Sequence, residues 1–318
     1  MLQLSAEETR DALPFPDLIN ALESMFRTGC EMPVRHHHDV AVPGEPDATM
    51  LLMPAWVPGG HAGVKVVNVM PGNSARGMPA VAAEYLLSDA RTGEMLALID
   101  GGELTARRTA AASALAARFL AREDARHLVI VGTGRVSLNL VAAHLAVRPI
   151  SKVSIWGRSS DRIDAAVWAA TASHDVEVVG TSDLDAALAS ADIISAATLS
   201  IDPLIKGAHL KPGAHVDLVG AFKPTMRESD DDAIRRASVF VDTRDGCMAE
   251  GGDIVQPLQS GVLAATDVKA DLYELTRGFH PGRVSHDEIT LFKSVGAALE
   301  DLAGAILAFE TVKRRENA

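Results

Sequence analysis

Residues 132–137 read Gly-Thr-Gly-Arg-Val-Ser and directly follow the apolar run His-Leu-Val-Ile-Val. In this G-x-G-x-x-S spacing, Gly132 permits a tight turn and Gly134 lets a pyrophosphate approach the backbone at a helix N-terminus. Serine stands where the third glycine or alanine is usual. A G-x-G-x-x-G-like turn is informative only in context. Here a strand precedes it, the helical stretch Val-Ser-Leu-Asn-Leu-Val-Ala-Ala-His-Leu follows, and a second strand comes next. NAD sites commonly hold the ribose with an acid about 20 residues further on. This chain instead reads Ile155-Trp156-Gly157-Arg158-Ser159-Ser160, with no acid before Asp161. A guanidinium pairs well with a 2′-phosphate, so NADP(H) is expected to be preferred, with NAD(H) possible.

A second group capable of chemistry is Arg107-Arg108, placed by the sequence in the opening turn of an alanine-rich helix, Gly-Gly-Glu-Leu-Thr-Ala-Arg-Arg-Thr-Ala-Ala-Ala-Ser-Ala-Leu. A helix N-terminus already carries partial positive charge, so two cations there call for a compensating anion.

The elements that position these groups fall into contrasting textures. Residues 1–30 predict short helices, with Leu18, Ile19, Leu22 and Phe26 at helical spacing. From about 34 to 100, apolar runs alternate with Pro-Gly and Thr-Gly turns, which predicts an antiparallel sheet. The alanine-rich helix follows at about 105–121. Beyond 127, six short β-rich runs separated mostly by helical or loop segments predict a doubly wound parallel sheet. A long final helix is expected from about Ser285, where Ser-His-Asp-Glu has capping-box spacing.

At 318 residues, with 47% hydrophobic and 23% charged residues, the chain suits one or two globular domains. A formal net charge of −12 argues against nucleic acid or an anionic membrane as a general partner. No apolar stretch nears the roughly 18 residues of a membrane span. The acidic N-terminal stretch lacks the basic region and apolar run of a signal peptide. Two cysteines, Cys30 and Cys247, form no disulfide framework and are read as packing thiols. A cytoplasmic protein is expected.

Several stretches together resemble the ornithine cyclodeaminase/mu-crystallin family. They are Leu104-Thr105-Ala106-Arg107-Arg108-Thr109-Ala110-Ala111, the Gly132-Thr133-Gly134 turn, Val219-Gly220-Ala221-Phe222-Lys223-Pro224-Thr225-Met226-Arg227-Glu228, Glu250-Gly251-Gly252-Asp253-Ile254, and Phe292-Lys293-Ser294-Val295-Gly296. The resemblance spans nearly the whole chain. It implies an α/β fold: a Rossmann NAD(P)-binding domain over 122–294, plus an α+β substrate-binding and dimerisation domain over 1–121 with 295–318. The expected assembly is a homodimer. Members include ornithine and lysine cyclodeaminases, an archaeal alanine dehydrogenase and ketimine reductases.

By resemblance, Arg35, Lys65 and Arg108 hold a substrate carboxylate, with Met53 and Val295 also at the substrate, and Lys65 is the candidate proton source. Arg108 and Thr109 are implied at the cofactor together with Gly132, Thr133, Gly134, Arg135, Val136, Arg158, Ser159, Thr198, Phe222 and Ser294. Val136 stands where many members carry Gln. Arg107 is read as a solvent or structural arginine, and the cost of the opening cations as offset when anions bind. Cyclodeaminases carry an acid at the place of Phe222 and a glutamate near Met50-Leu51-Leu52-Met53, where this chain has Leu51. An apolar side chain neither accepts a proton nor pairs with an ammonium. The Val219–Glu228 wording resembles the ketimine reductases in particular, and that resemblance implies reduction of a cyclic imino acid, Δ1-pyrroline-2-carboxylate or Δ1-piperideine-2-carboxylate, to L-proline or L-pipecolate. Ornithine cyclodeaminase, alanine dehydrogenase and a mu-crystallin-like NADPH-dependent binder are the alternatives.

Other features are read without chemistry. In His36-His37-His38 only His36 and His38 share a strand face, and no third ligand is evident, so no metal is expected. Asp230-Asp231-Asp232 is read as a helix start and His286-Asp287-Glu288 as capping. Glu250 and Asp253 are read as turn residues.

Overall fold

Two apolar periodicities give two kinds of sheet, each in its own part of the chain. The computed structural model describes residues 1–317. The chain divides into two compact units, Met1–Arg108 with Ala298–Ala318, and Thr109–Ala297.

The first unit opens with β1 (Leu2–Leu4), α1 (Ala6–Ala12) and α2 (Phe15–Thr28). A reciprocal Ser5–Glu8 capping box starts α1, and α2 buries Leu18, Ile19, Leu22 and Phe26 as their spacing predicts. The strand β1 departs from the all-helical expectation, being too short to show a period of its own. Helix α3 (Gly101–Leu120) contributes only its part up to Arg108 to this unit, and before it come β2 (His36–Val40), β3 (Ala48–Trp56), β4 (His61–Val69), β5 (Val81–Asp89) and β6 (Met95–Asp100). The strands form a six-stranded sheet ordered β1-β6-β5-β4-β3-β2. It is antiparallel as expected, except that β1 runs parallel to β6. Along β3 to β6 one face is buried, through Met53, Lys65, Tyr85 and Ile99, which lie side by side across the register. The opposite face carries Leu52, Pro54, Val64, Val66, Leu86 and Leu98, all half-buried.

The second unit alternates strand and helix: β7 (His127–Val131), α4 (Arg135–Leu145), β8 (Lys152–Trp156), α5 (Ser160–Ser173), β9 (Glu177–Thr181), α6 (Leu184–Ser190), β10 (Ile193–Ala196) and β11 (His215–Leu218). It continues through α7 (Asp231–Arg236), β12 (Ala237–Val241), α8 (Arg244–Glu250), α9 (Gly252–Ser260), β13 (Val268–Asp271), α10 (Leu272–Thr276) and β14 (Ile289–Lys293). All eight strands are parallel, in the order β13-β12-β14-β11-β10-β7-β8-β9. The winding reverses between β7 and β10, the place where open α/β sheets bind ligands. Asp230 caps α7 through the Ala233 N–H, as its acidic run suggests.

The last helix, α11 (Ala298–Glu316), begins well after Ser285 and packs on α2 and on β3 to β6 of the first unit. Ser285 and Glu288 do exchange cap-like hydrogen bonds, at 3.2 and 3.4 Å. The element after them is β14, not a helix. Its Ile-Thr-Leu-Phe-Lys run is buried between β11 and β12, and a strand enclosed on both faces shows a continuous apolar run without alternation. Ser294 and Val295 lie in the short segment between this central strand and the start of α11 at Ala298.

Candidate active site

In the first unit the functional side chains converge on Lys65, wholly buried at the middle of β4. Its Nζ donates to the Asp301 carboxylate at 2.7 and 2.8 Å and to Thr105 Oγ1 at 3.2 Å. Arg108, also buried, directs Nε to Asp301 at 2.8 Å and Nη1 to Glu300 at 2.6 Å. Two cations thus face two carboxylates supplied by the first turn of α11. Burial lowers the Lys65 pKa to about 8, with Asp301 opposing the shift and Arg108 and Arg35 adding to it. Burial also works against the Arg108 charge, but Asp301 and Glu300 outweigh it and hold that pKa above its ordinary value. Asp301 resists burial in the same way, kept low by Lys65 and Arg108. Arg35 is half-buried, and its charge is felt at Lys65. Met53 lies directly opposite Lys65 on β3, is buried, and gives that side an apolar wall.

The arginine pair sits differently from the expectation. Helix α3 begins at Gly101, with the Glu103 N–H bound to Asp100 at 2.6 Å and Glu103 in the first turn, so the N-terminus is served by acids. Arg107 and Arg108 lie about two turns in. Arg107 donates to the Leu13 carbonyl at 2.7 and 2.9 Å and stacks 4.3 Å over the Phe15 ring, a structural role as read. The charge of Arg108 is offset within the protein by Glu300 and Asp301, with no need of a bound anion.

In the second unit the Gly132–Gly134 turn follows β7 at the reversal of winding. Gly132 has φ +128°, and a Cβ there would stand 2.7 Å from the Ala197 carbonyl oxygen, so the turn is closed to other residues. Helix α4 opens at Gly134 with no side-chain cap, leaving its N-terminus available to an anion. Arg135 is exposed, and Thr133 and Val136 are half-buried around it. Arg158 is exposed after β8, and Ser159 begins α5 without capping it. Thr198 follows β10, and Phe222, 43% exposed, follows β11. Thr109 and Ser294 are buried, and Val295 packs beside Gly246 and Gly251. The carboxyl ends of β7, β8, β10 and β11 thus carry Gly132–Val136, Arg158, Ser159, Thr198 and Phe222, on the edge at which open α/β sheets bind their ligands.

Sequence reasoning missed Glu300 and Asp301. Their signal was two adjacent acids inside an Ala/Leu-rich helical stretch, with no local partner to draw attention to them. Asp253, read as a turn residue, is a buried helical carboxylate accepting the Glu228 and Ser229 N–H groups at 3.0 and 2.8 Å. His36, His37 and His38 are all exposed on β2. Among the described residues no helix is long and apolar enough to cross a membrane.

A parallel sheet with a glycine turn at its switch point, and a separate sheet holding a buried lysine–carboxylate–arginine cluster, define a two-unit α/β protein of the nucleotide-binding type. The chain belongs to the ornithine cyclodeaminase/mu-crystallin family, whose model matches residues 2–316. It is 41% identical over 300 residues to a Δ1-pyrroline-2-carboxylate reductase of Paracoccus denitrificans, covering 94% of this chain and 93% of that one. It also resembles the Thermococcus litoralis Δ1-pyrroline-2-carboxylate reductase in complex with NADH and L-proline, with TM-score 0.93 and 31% identity over 99% of this chain and 98% of that one. An archaeal alanine dehydrogenase dimer with bound NAD gives TM-score 0.90 and 28% identity over 99% and 97%.

Proposed function

We propose that the protein is a reductase that uses NAD(P)H to convert a cyclic ketimine carboxylate, Δ1-pyrroline-2-carboxylate or Δ1-piperideine-2-carboxylate, to L-proline or L-pipecolate. The observation that carries this reading is the buried Lys65, held by Asp301 beside Arg108 with a pKa of about 8. Such a group is protonated at neutral pH yet close enough to it to give the proton up, as a general acid must. When bound, a reduced nicotinamide supplies the hydride for C2 of the imine.

The remaining work falls to the chain's own residues. Gly132–Val136, Ser159, Thr198, Phe222 and Ser294 would seat the dinucleotide, with Thr109 and Arg108 reaching its phosphates. Arg35, Arg108 and Lys65 would bind the substrate carboxylate and so fix which face of the C=N is open, with Val295 at the ring. The Asp301 and Glu300 contacts hold Arg108 in one orientation before substrate arrives, which lowers the ordering cost of binding. Lys65 would protonate the ring nitrogen, directly or through a water. Met53 and Phe222 provide apolar surface compatible with a ring that lacks a distal charge.

Arg158 supports a preference for NADP(H) over NAD(H), since a guanidinium after β8 suits a 2′-phosphate. The half-buried apolar outer face of the first sheet supports a homodimer, and the archaeal alanine dehydrogenase of like fold is a dimer. A cytoplasmic setting fits an NAD(P)H-consuming step. Apolar Phe222 and Leu51 disfavour ornithine cyclisation. Oxidation of NADPH and NADH measured with each cyclic imine tests the reading. Turnover of either imine supports it, while no turnover together with ornithine cyclisation, or tight aromatic binding without turnover, overturns it.

A further inference from the structure

Glu228 is wholly buried in the second unit, and three donors from two different loops converge on its carboxylate. Oε1 accepts the Thr198 N–H at 2.7 Å and the Thr198 hydroxyl at 2.8 Å, from the segment after β10. Oε2 accepts the Gly220 N–H at 2.7 Å, from the segment after β11. A side chain at Gly220 would overlap the Thr198 backbone and the Glu228 carboxylate, so the glycine is what lets the two loops close on one acid. The Glu228 backbone is itself fixed. Its N–H donates to Asp253 Oδ1 at 3.0 Å, and its carbonyl accepts the Leu204 and Ile205 N–H groups at 2.9 and 2.8 Å.

We propose that Glu228 is a positioning residue for dinucleotide binding, a carboxylate clamp that ties the Thr198 loop to the Gly220–Phe222 loop and thereby sets the cofactor side of the site. This rests on the dinucleotide reading above. The ionised carboxylate accepts from all three donors as a charge-assisted acceptor, whereas protonation removes that charge and puts an O–H where a lone pair had faced a donor, so the hold on the two loops weakens. The charged groups facing it are Lys293 from the end of β14 and Asp253 from α9, which lie 3.6 Å from each other. Burial pushes Glu228 up to about 7, with Asp253 adding and Lys293 and Thr198 opposing. The clamp therefore weakens as pH falls through neutrality, and the apparent affinity falls with the fraction of molecules whose loops remain tied.

The test is NADH titration by fluorescence, without imine, from pH 6 to 8.5. NADH is chosen because it lacks the 2′-phosphate, which would titrate in this range itself. Wild-type affinity is expected to weaken by roughly tenfold toward pH 6. E228Q, shown folded by its melting curve, is expected to bind about tenfold more weakly at pH 8.5 and to lose the pH step. T198V keeps the acid but removes one donor to its anion, so the midpoint should move to higher pH even if E228Q does not fold. A folded E228Q that binds as wild type, or an unmoved midpoint in T198V, overturns the clamp alone. A wild type that binds neither NADH nor, in a parallel titration at pH 8.5, NADPH overturns the underlying reading and the clamp with it.

Discussion

The Asp301 carboxylate is bound by Lys65 Nζ at 2.7 Å and also takes Arg108 Nε at 2.8 Å, so one acid orients the two cations of the candidate site. It is the largest of the interactions that hold the Lys65 pKa up against burial. Asp301→Asn removes that support while leaving burial and the Arg108 and Arg35 charges, so the Lys65 pKa falls below about 8. A lysine acting as an acid loses activity as pH rises through its pKa. The alkaline limb of the kcat profile should therefore move to lower pH in Asp301→Asn. An unshifted limb would remove Lys65 as the titrating acid. Leaving buried cations without their counter-charge should also cost about 3–5 kcal/mol, read from denaturant unfolding.

Lys65→Met keeps the length and apolar stem but removes the proton. The expected outcome is a fall in kcat of about 100-fold or more with cofactor affinity unchanged. Steady-state kinetics with both cyclic imines, beside an NADH titration, separates the two effects. A variant that retains wild-type kcat would assign the proton to another group.

Arg158 is exposed after β8, so its loss should leave the fold intact. Arg158→Ala is expected to raise KM for NADPH roughly tenfold or more and to change KM for NADH little, since a charge-assisted phosphate contact is removed. Equal effects on both cofactors would mean that Arg158 serves the adenine and not a 2′-phosphate.

Val66 stands between Leu52 and Glu84 on the outer face of the first sheet, half-buried. If that face joins two copies, Val66→Asp places an unpaired charge in the apolar contact and converts a dimer to monomer in sedimentation velocity. A wild type that sediments as a monomer, or a variant dimer of unchanged stability, would count against it.

Much of this arrangement was legible because local chemistry set it. The Gly132 turn, the β7-to-β12 alternation and the Leu18–Phe26 stripe each depend on neighbours within one or two turns of chain, where period and turn residues report directly. The final strand was not legible for the opposite reason. Ile289–Lys293 is central to its sheet and carries no alternation, and a helix-cap signature stood just before it. The Arg108 partners were hidden because Glu300 and Asp301 reach it only through tertiary packing, and a helix start expected near Ser285 placed them deep inside the helix instead of in its first turn. Glu228 looked like part of a family segment. Its importance lies in the two loops it joins, which no spacing along the chain could reveal.

The route of the polypeptide has a kinetic consequence for synthesis. Lys65 and Asp301 are 236 residues apart, and everything from Thr109 to Ala297 emerges between them. At ribosomal speeds that interval lasts roughly 10–50 s. Through most of it Lys65 of the nascent sheet and Arg108 of α3 lack the carboxylates that neutralise them, because α11 is translated last. The second unit, whose segments are consecutive, is complete on the ribosome before the first and is free to consolidate ahead of it.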